Sequence, residues 1–348
     1  MAKKKASEKV LNIDNILFNC RDILRAARNS GSFFEKRDMM LTLIFLRFIG
    51  EKYEDGIENL RKVLIDQGLD PDDENIRTAF FEDATFADGT YNLSKEARWS
   101  TIINTPAPEL NVALDTALHS IAFESKDLKG CFIEGTFTTR NLAPNDIKKL
   151  VDEVNKISHK VFGEEKDLIG RVYEYFLKEF AVNATKEEGE FYTPHDVVQL
   201  IAALIEPYEG TLYDPACGSG GFLIQSFLYV NQKIIDTPCS ELDRKLKFNE
   251  LIDKCLWGGE ADEDLHVLAK INLIMHGDGY NNIYQGDSLS NQNLPNNYFN
   301  LILTNPPFTI PYTFKDILNK YEMGFNRENQ ELDILFVEKC IRSLDEKA

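Results

Sequence analysis

Asn305-Pro306-Pro307-Phe308 follows the short apolar run Leu301-Ile302-Leu303, which reads as a buried strand bounded by turn formers. Proline donates no ladder hydrogen bond and restricts the residue before it, so the Pro-Pro pair ends the strand. An amide side chain, a stiff backbone carbonyl and an aromatic ring are thereby set at the strand's carboxyl end, where open α/β sheets bind ligands. Two acceptors and a ring suit a planar amine: the acceptors take its N–H hydrogens and the ring stacks on its face. A rigid turn with no chemistry is the competing reading of the same four residues.

A second constellation is Asp214-Pro215-Ala216-Cys217-Gly218-Ser219-Gly220-Gly221, after an expected first strand Thr211-Leu212-Tyr213. Its glycines allow a tight turn and close approach of a ligand to backbone ahead of a helix N-terminus. A dinucleotide fingerprint needs glycine where Leu223 stands, and no Walker A sequence occurs, which argues against hydride transfer and triphosphate hydrolysis. Asp214 is ill suited to pyrophosphate and better suited to a cationic or hydrogen-donating ligand. Glu260 closes an expected second strand, where a carboxylate accepts hydrogen bonds from ribose hydroxyls. Asp287 closes a third and is placed to take the exocyclic amine of an adenine. Each carboxylate alone is an ordinary strand-end turn former; three at successive strand ends point to a site.

These groups need a scaffold. Strands at 211–213, 256–260, 283–284 and 299–303 alternate with expected helices at 222–230 and 262–276, the pattern of a parallel, helix-covered sheet. Glu260 comes late for its role, and the Asp236-to-Lys254 segment is the evident insertion. Further helices are expected over 146–158, 168–180, 196–206 and 331–345. The first part of the chain is helical: Ile13, Ile16, Leu17, Cys20 and Leu24 recur at helical spacing, as do residues from Leu41 to Leu64. Residues 99–108 read as a loop before a helix over 110–122. The organisation expected is a helical interaction domain over 1–145 and an α/β catalytic domain over 146–348.

The 348 residues carry 39 Lys and Arg against 57 Asp and Glu, a net charge of −18. Such a surface repels phosphate backbones, so action on nucleic acid calls for a partner that supplies the grip. The six scattered cysteines form no C-x-x-C pair, which points to reduced thiols rather than a disulfide framework or zinc site. The Lys-rich start has no apolar segment behind it, and the strongest apolar run, Met39 to Ile49, is too short for a bilayer. A soluble, cytoplasmic protein is expected.

Asp214 to Phe222 followed by Asn305-Pro306-Pro307-Phe308 resembles the S-adenosylmethionine-dependent DNA adenine-N6 methyltransferases. Gly189-Glu190-Phe191-Tyr192-Thr193-Pro194 upstream matches the motif order of their γ group. The helical part, with Phe45-Leu46-Arg47-Phe48-Ile49 and Lys52-Tyr53, is similar to the N-terminal domain of type I restriction-modification modification subunits. The resemblance implies a Rossmann-like α/β methyltransferase domain behind an all-α domain, with S-adenosylmethionine as cofactor and no metal. It implies that Asp214, Gly218 and Gly220, with Ala216, Ser219 and Gly221 in the same loop, hold the methionine side. Glu260 would bind the ribose and Asp287 the adenine ring, while Phe191, Tyr192, Thr193 and Pro194 close over the methionine end. Asn305 and the Pro306 carbonyl, stiffened by Pro307, would accept the target amine's hydrogens, and Phe308 would stack on a flipped base. His195 is read as a helix-start residue rather than a base.

The chain also departs from that family. Only four strands are countable where seven are expected, no fifth strand follows the last helix, and truncation is the favoured explanation. No base-reading element is present, so DNA recognition is assigned to a separate specificity subunit. Two modification subunits and a restriction subunit complete the expected complex. An RNA or protein-glutamine methyltransferase and a non-catalytic scaffold stay open as alternatives; Phe308 in place of tyrosine argues against the protein-glutamine branch.

Overall fold

The computed structural model describes residues 13–27, 33–77, 79–80, 93–124, 132, 135–140, 142–157, 172, 175, 193–207, 210–276 and 282–347. The expected helix over 168–180 lies outside these residues, apart from isolated positions. Contacts divide the chain into two compact units, Met1–Leu168 and Ile169–Ala348.

The first unit is helical: α1 (Ile13–Ala26), α2 (Phe33–Asp66), α3 (Glu74–Arg77), α4 (Trp99–Asn104), α5 (Leu110–Glu124) and α6 (Pro144–Val154). The apolar stripe read from α1 is its buried face: Ile13, Ile16, Leu17, Cys20 and Leu24. Met39 to Ile49 of α2 is core along its whole run. Arg47 is buried with it because its charge is met twice. Its guanidinium pairs with Glu51 at 2.8 Å, and its Nε donates to the Ile157 carbonyl at 3.1 Å. Residues 99–104 form a helix rather than the expected loop. Trp99 and Ile102 are buried three residues apart, and the Trp99 indole N–H donates to Asn155 at 2.7 Å. That packing outweighs the turn-forming character of Asn104-Thr105-Pro106. Gly50 permits it, since a Cβ there would fall 2.5 Å from Trp99 Cβ.

The second unit runs α7 (His195–Ile205), β1 (Leu212–Asp214), α8 (Gly221–Asp236), α9 (Glu241–Glu250), β2 (Leu256–Glu260), α10 (Glu263–His276), β3 (Ile283–Gln285), β4 (Leu301–Ile302), β5 (Pro311–Tyr312), α11 (Lys315–Leu318), β6 (Gln330–Glu331) and α12 (Leu332–Ser343). The inserted segment between β1 and β2 is α9, whose N-cap Ser240 Oγ accepts the Asp243 N–H, and a π-helical turn over Leu251–Cys255.

The sheet is parallel in the order β3-β2-β1-β4, with Leu212 opposite both Leu256 and Leu301. Side chains alternate across it. Leu212, Leu256, Ile283 and Leu303 pack with Leu223 and Phe227 of α8 and Leu273 of α10. Tyr213, Trp257, Tyr284 and Ile302 face the other way, where the Tyr213 and Phe299 rings stack at 4.5 Å. Burying each such side chain contributes roughly 1.5–3 kcal/mol, enough to hold strands this short.

Two features depart from expectation. The chain after the Asn-Pro-Pro-Phe loop forms a small antiparallel pair, β5 with β6, with α11 between them, and two-residue strands leave no periodic signal. The edge beside the fourth strand, expected to be open, is partly covered by the chain after α12. Phe299 and Leu344 form a parallel bridge, Asp345 N–H donates to the Phe299 carbonyl at 2.8 Å, and Asn297 N–H donates to Arg342.

Candidate active site

Strand order dictates where a site can form. From β1 the chain winds outward through β2 to β3, then crosses back to β4 on β1's other side. The two loops leaving the carboxyl ends of β1 and β4 therefore diverge around a crevice, the switch point at which such sheets bind ligands. Those loops are the glycine loop and the Asn-Pro-Pro-Phe loop. A cavity of about 400 Å³ opens there.

The glycine loop turns sharply because Gly218 and Gly220 adopt φ of 54° and 87°, with Gly220 as N-cap of α8. A Cβ at Gly218 would meet nothing within 4 Å, so that backbone faces open space and can be approached closely. Glu260 at the end of β2 ties the loop down. One carboxylate oxygen accepts the Gly218 N–H at 2.8 Å and the other accepts the Asp262 N–H at 2.9 Å. Burial raises its pKa, and those backbone N–H bonds oppose the rise. Gly258 and Gly259 of β2 let the neighbouring loops close in. A Cβ on Gly259 would lie 2.1 Å from Ser288 Oγ.

Asp214 lies under the loop rather than on the cavity wall. It is 1% exposed, and its carboxylate accepts the Ala216 N–H at 3.1 Å. Burial pushes its carboxyl up to about 7, with Glu260's charge adding to the rise. Burial, then the charges of Asp214 and Glu260, also raise the Cys217 thiol, which leaves it no nucleophile.

Asn305 is held from across the crevice: its Nδ2 donates to Thr193 Oγ1 at 2.9 Å. With the nitrogen so engaged, Oδ1 is the atom left to accept from a ligand. Asp287 accepts the Leu289 N–H at 2.9 Å through one oxygen and the Tyr312 hydroxyl through the other. Burial, then that bond and the Asp287 charge, raise the Tyr312 pKa, so the phenol stays a donor.

Of the residues expected from sequence, Thr193, Ala216, Gly218, Ser219, Gly221, Glu260, Asp287, Asn305, Pro306 and Pro307 line this one cavity. Asp214, Pro194, Gly220 and Phe308 do not line it; Pro194 is the N-cap of α7, and Phe308 is 45% exposed. Phe191 and Tyr192 lie outside the described residues. His195 begins α7, as its helix-start reading has it. Sequence reading missed Tyr312, Asp262 and the apolar walls Ile310 and Phe336. Asp262, two residues past Glu260, carried a weak positional signal; the others carried none.

The cavity at the switch point thus gathers carboxylates from the β2 and β3 ends and a tethered carboxamide from the β4 end. An N-6 DNA methylase model matches residues 164–348, and an HsdM N-terminal domain model matches residues 13–154. The chain belongs to the N-6 DNA methylase family. The type I restriction enzyme MjaIX methylase subunit of Methanocaldococcus jannaschii is 29% identical over 303 residues, covering 85% of this chain and 50% of that protein. The type I restriction enzyme HindI methylase subunit of Haemophilus influenzae is 34% identical over 146 residues, 41% of this chain and 29% of that protein. The chain thus spans half or less of the length of these two curated relatives. The crystal structure of a type I restriction-modification system methyltransferase subunit from Streptococcus thermophilus shares the fold. Its TM-score is 0.66 at 19% identity, covering 96% of this chain and 72% of that one. No helix among the described residues is long and apolar enough to cross a membrane.

Proposed function

We propose that this N-6 methylase chain transfers a methyl group from S-adenosylmethionine to the N6 amine of adenine in DNA, as the modification subunit of a type I restriction-modification complex. One observation carries the reading. Asn305, its amide nitrogen occupied by Thr193, lines the same cavity as Glu260 and Asp287. An acceptor for an amine and two carboxylates for a nucleoside are thus brought to one crevice.

The residues fit the cofactor. Gly218 offers backbone with no Cβ in the way, Glu260 is the carboxylate for ribose hydroxyls, and Asp287 is the carboxylate for an adenine amine. S-adenosylmethionine supplies an electrophilic methyl carried on a sulfonium. Asp214, buried beneath the glycine loop, sets that turn and adds negative potential when ionised. Thr193 orients Asn305, whose Oδ1 accepts one amine hydrogen while the Pro306 carbonyl accepts the other. Both bonds concentrate electron density on the nitrogen and fix its direction. Orientation carries most of the rate. Phe308, exposed beside this loop, stacks on a base flipped out of the duplex.

The net charge of −18 supports assigning sequence recognition to a separate specificity subunit, with the helical unit as the interaction module and two modification subunits per complex. A restriction subunit completes the assembly. Calorimetric titration with S-adenosylmethionine tests the cofactor assignment, with binding expected for the wild type and roughly tenfold weaker binding for Asp287→Asn. A chain that binds NAD and not S-adenosylmethionine would end the proposal.

A further inference from the structure

The segment that follows the amine-holding loop is tied back to the cofactor side of the cavity at two points. The Tyr312 hydroxyl donates to Asp287, and the Tyr321 hydroxyl donates to the Leu289 carbonyl at 2.7 Å. Both acceptors belong to the turn that closes β3. Tyr312 is 8% exposed and packs with Leu289, Leu318, Leu335 and Phe336. Its strand is backed by β6, and the Leu332 N–H donates to the Ile310 carbonyl at 2.9 Å. At the other end of the loop, Asn305 is tied to Thr193.

Between these anchors the backbone bends through Thr309 at φ 57°. A β-branched residue in the left-handed region is strained, and such a conformation persists only where its surroundings over-determine it. The two anchors do so here. Tyr312 and Asp287 also both line the cavity, so the link lies on the wall a ligand would touch. A carboxylate oxygen has two lone pairs and can take the phenol and a ligand N–H together.

Resting on the functional reading above, we propose that Tyr312 is a positioning residue for methyl transfer. Its hydroxyl bond to Asp287 couples occupation of the cofactor pocket to the conformation of the loop that holds the target amine. It acts through Asp287 on one side and through the strained turn at Thr309 on the other.

The test compares wild type, Tyr312→Phe, Asp287→Asn and the double variant. Amide exchange over residues 305–312 is followed in the chain without and with S-adenosylmethionine, and single-turnover methylation is followed with the specificity subunit and target DNA. Tyr312→Phe keeps the ring and its packing, so the unfolding midpoint should stay close to wild type. Loop exchange should speed up about tenfold, the size expected for one hydrogen bond to a charged acceptor, and cofactor should no longer slow it. The single-turnover rate should fall by roughly the same factor while cofactor affinity changes less than about threefold. Adding Tyr312→Phe to Asp287→Asn, whose amide oxygen is a weaker acceptor, should cost clearly less than adding it to the wild type. Wild-type exchange and rate in Tyr312→Phe, or losses that multiply in the double variant, would overturn the coupling alone. A wild type that does not bind S-adenosylmethionine would overturn the cofactor reading and the coupling with it. If Tyr312→Phe does not fold, Asp287→Asn, which replaces the carboxylate acceptor by a weaker amide, must show faster loop exchange already without cofactor, and its absence there overturns the proposal.

Discussion

Asn305 has two ends with different duties. Its nitrogen is spent on Thr193, so the carbonyl end is directed by a bond and not by chance rotation. Asn305→Ala should lower methyl-transfer turnover by on the order of 10², the scale of a misplaced reacting group, while S-adenosylmethionine affinity stays within a few-fold. Thr193→Val keeps the volume and removes the tie; turnover should fall about tenfold, as for one buried hydrogen bond. Steady-state kinetics with the partner present checks both. Asp214 gives a pH signature. Its folded pKa, pushed up to about 7 by burial, stands above the ordinary aspartate value of 3.8, so the folded state holds the proton that the unfolded state releases. The group's effect on stability therefore worsens as pH rises from about 4 to about 7 and is flat above that. Glu260, also raised by burial, acts in the same direction. Thermal midpoints should fall across that window, and Asp214→Asn should flatten the fall. Binding of a cationic ligand should tighten as pH passes upward through about 7, by the same ionisation.

At the scale of elements, the site exists because β1 and β4 are neighbours while the chain between them goes elsewhere. Their loops are brought together by the sheet, while the glycines of β2 set how closely the β1 loop and the turn after β3 approach that strand. Gly259→Ala would drive a Cβ to 2.1 Å from Ser288 Oγ, and overpacking of that kind costs about 1–3 kcal/mol. Gly218→Ala meets no atom but must hold a left-handed φ at about 1–2 kcal/mol. Denaturant titration should find both destabilised, and calorimetry should find the Gly218 variant weaker in cofactor binding even where it is folded. These elements were legible in the sequence to different depths. The β1, β2 and β3 ends are punctuated locally by Asp214, Glu260 and Asp287, and the alternation of short strands with helices marks what joins them. The β5–β6 pair is made of two-residue strands, and Tyr312 of β5 packs on Leu335 and Phe336 of α12. The Asp287–Tyr312 bond joins residues 25 apart and the Asn305–Thr193 bond residues 112 apart; neither spacing is periodic, so no pattern announces it. Residues 99–104 were masked by turn-like composition, although Trp99 and Ile102 held the helical spacing.

For the whole molecule, charge decides more than shape. A net charge of −18 opposes phosphate, and non-specific DNA affinity rests on neutralising it. The chain alone should show no measurable retention of target duplex at roughly 0.15 M salt, and should retain it once a specificity subunit is added. Mobility shift across a salt series reads this out. The central chemical question is whether the crevice between β1 and β4 delivers a methyl group to adenine nitrogen. The most direct measurement incubates wild type and Asn305→Ala, each with specificity subunit, with methyl-labelled S-adenosylmethionine and target DNA, and locates the label in the digested nucleosides by mass spectrometry. Label on N6 of adenine with the wild type, about a hundredfold less with Asn305→Ala, is the predicted result. Label on another nucleoside atom, or equal labelling by the two proteins, would contradict it.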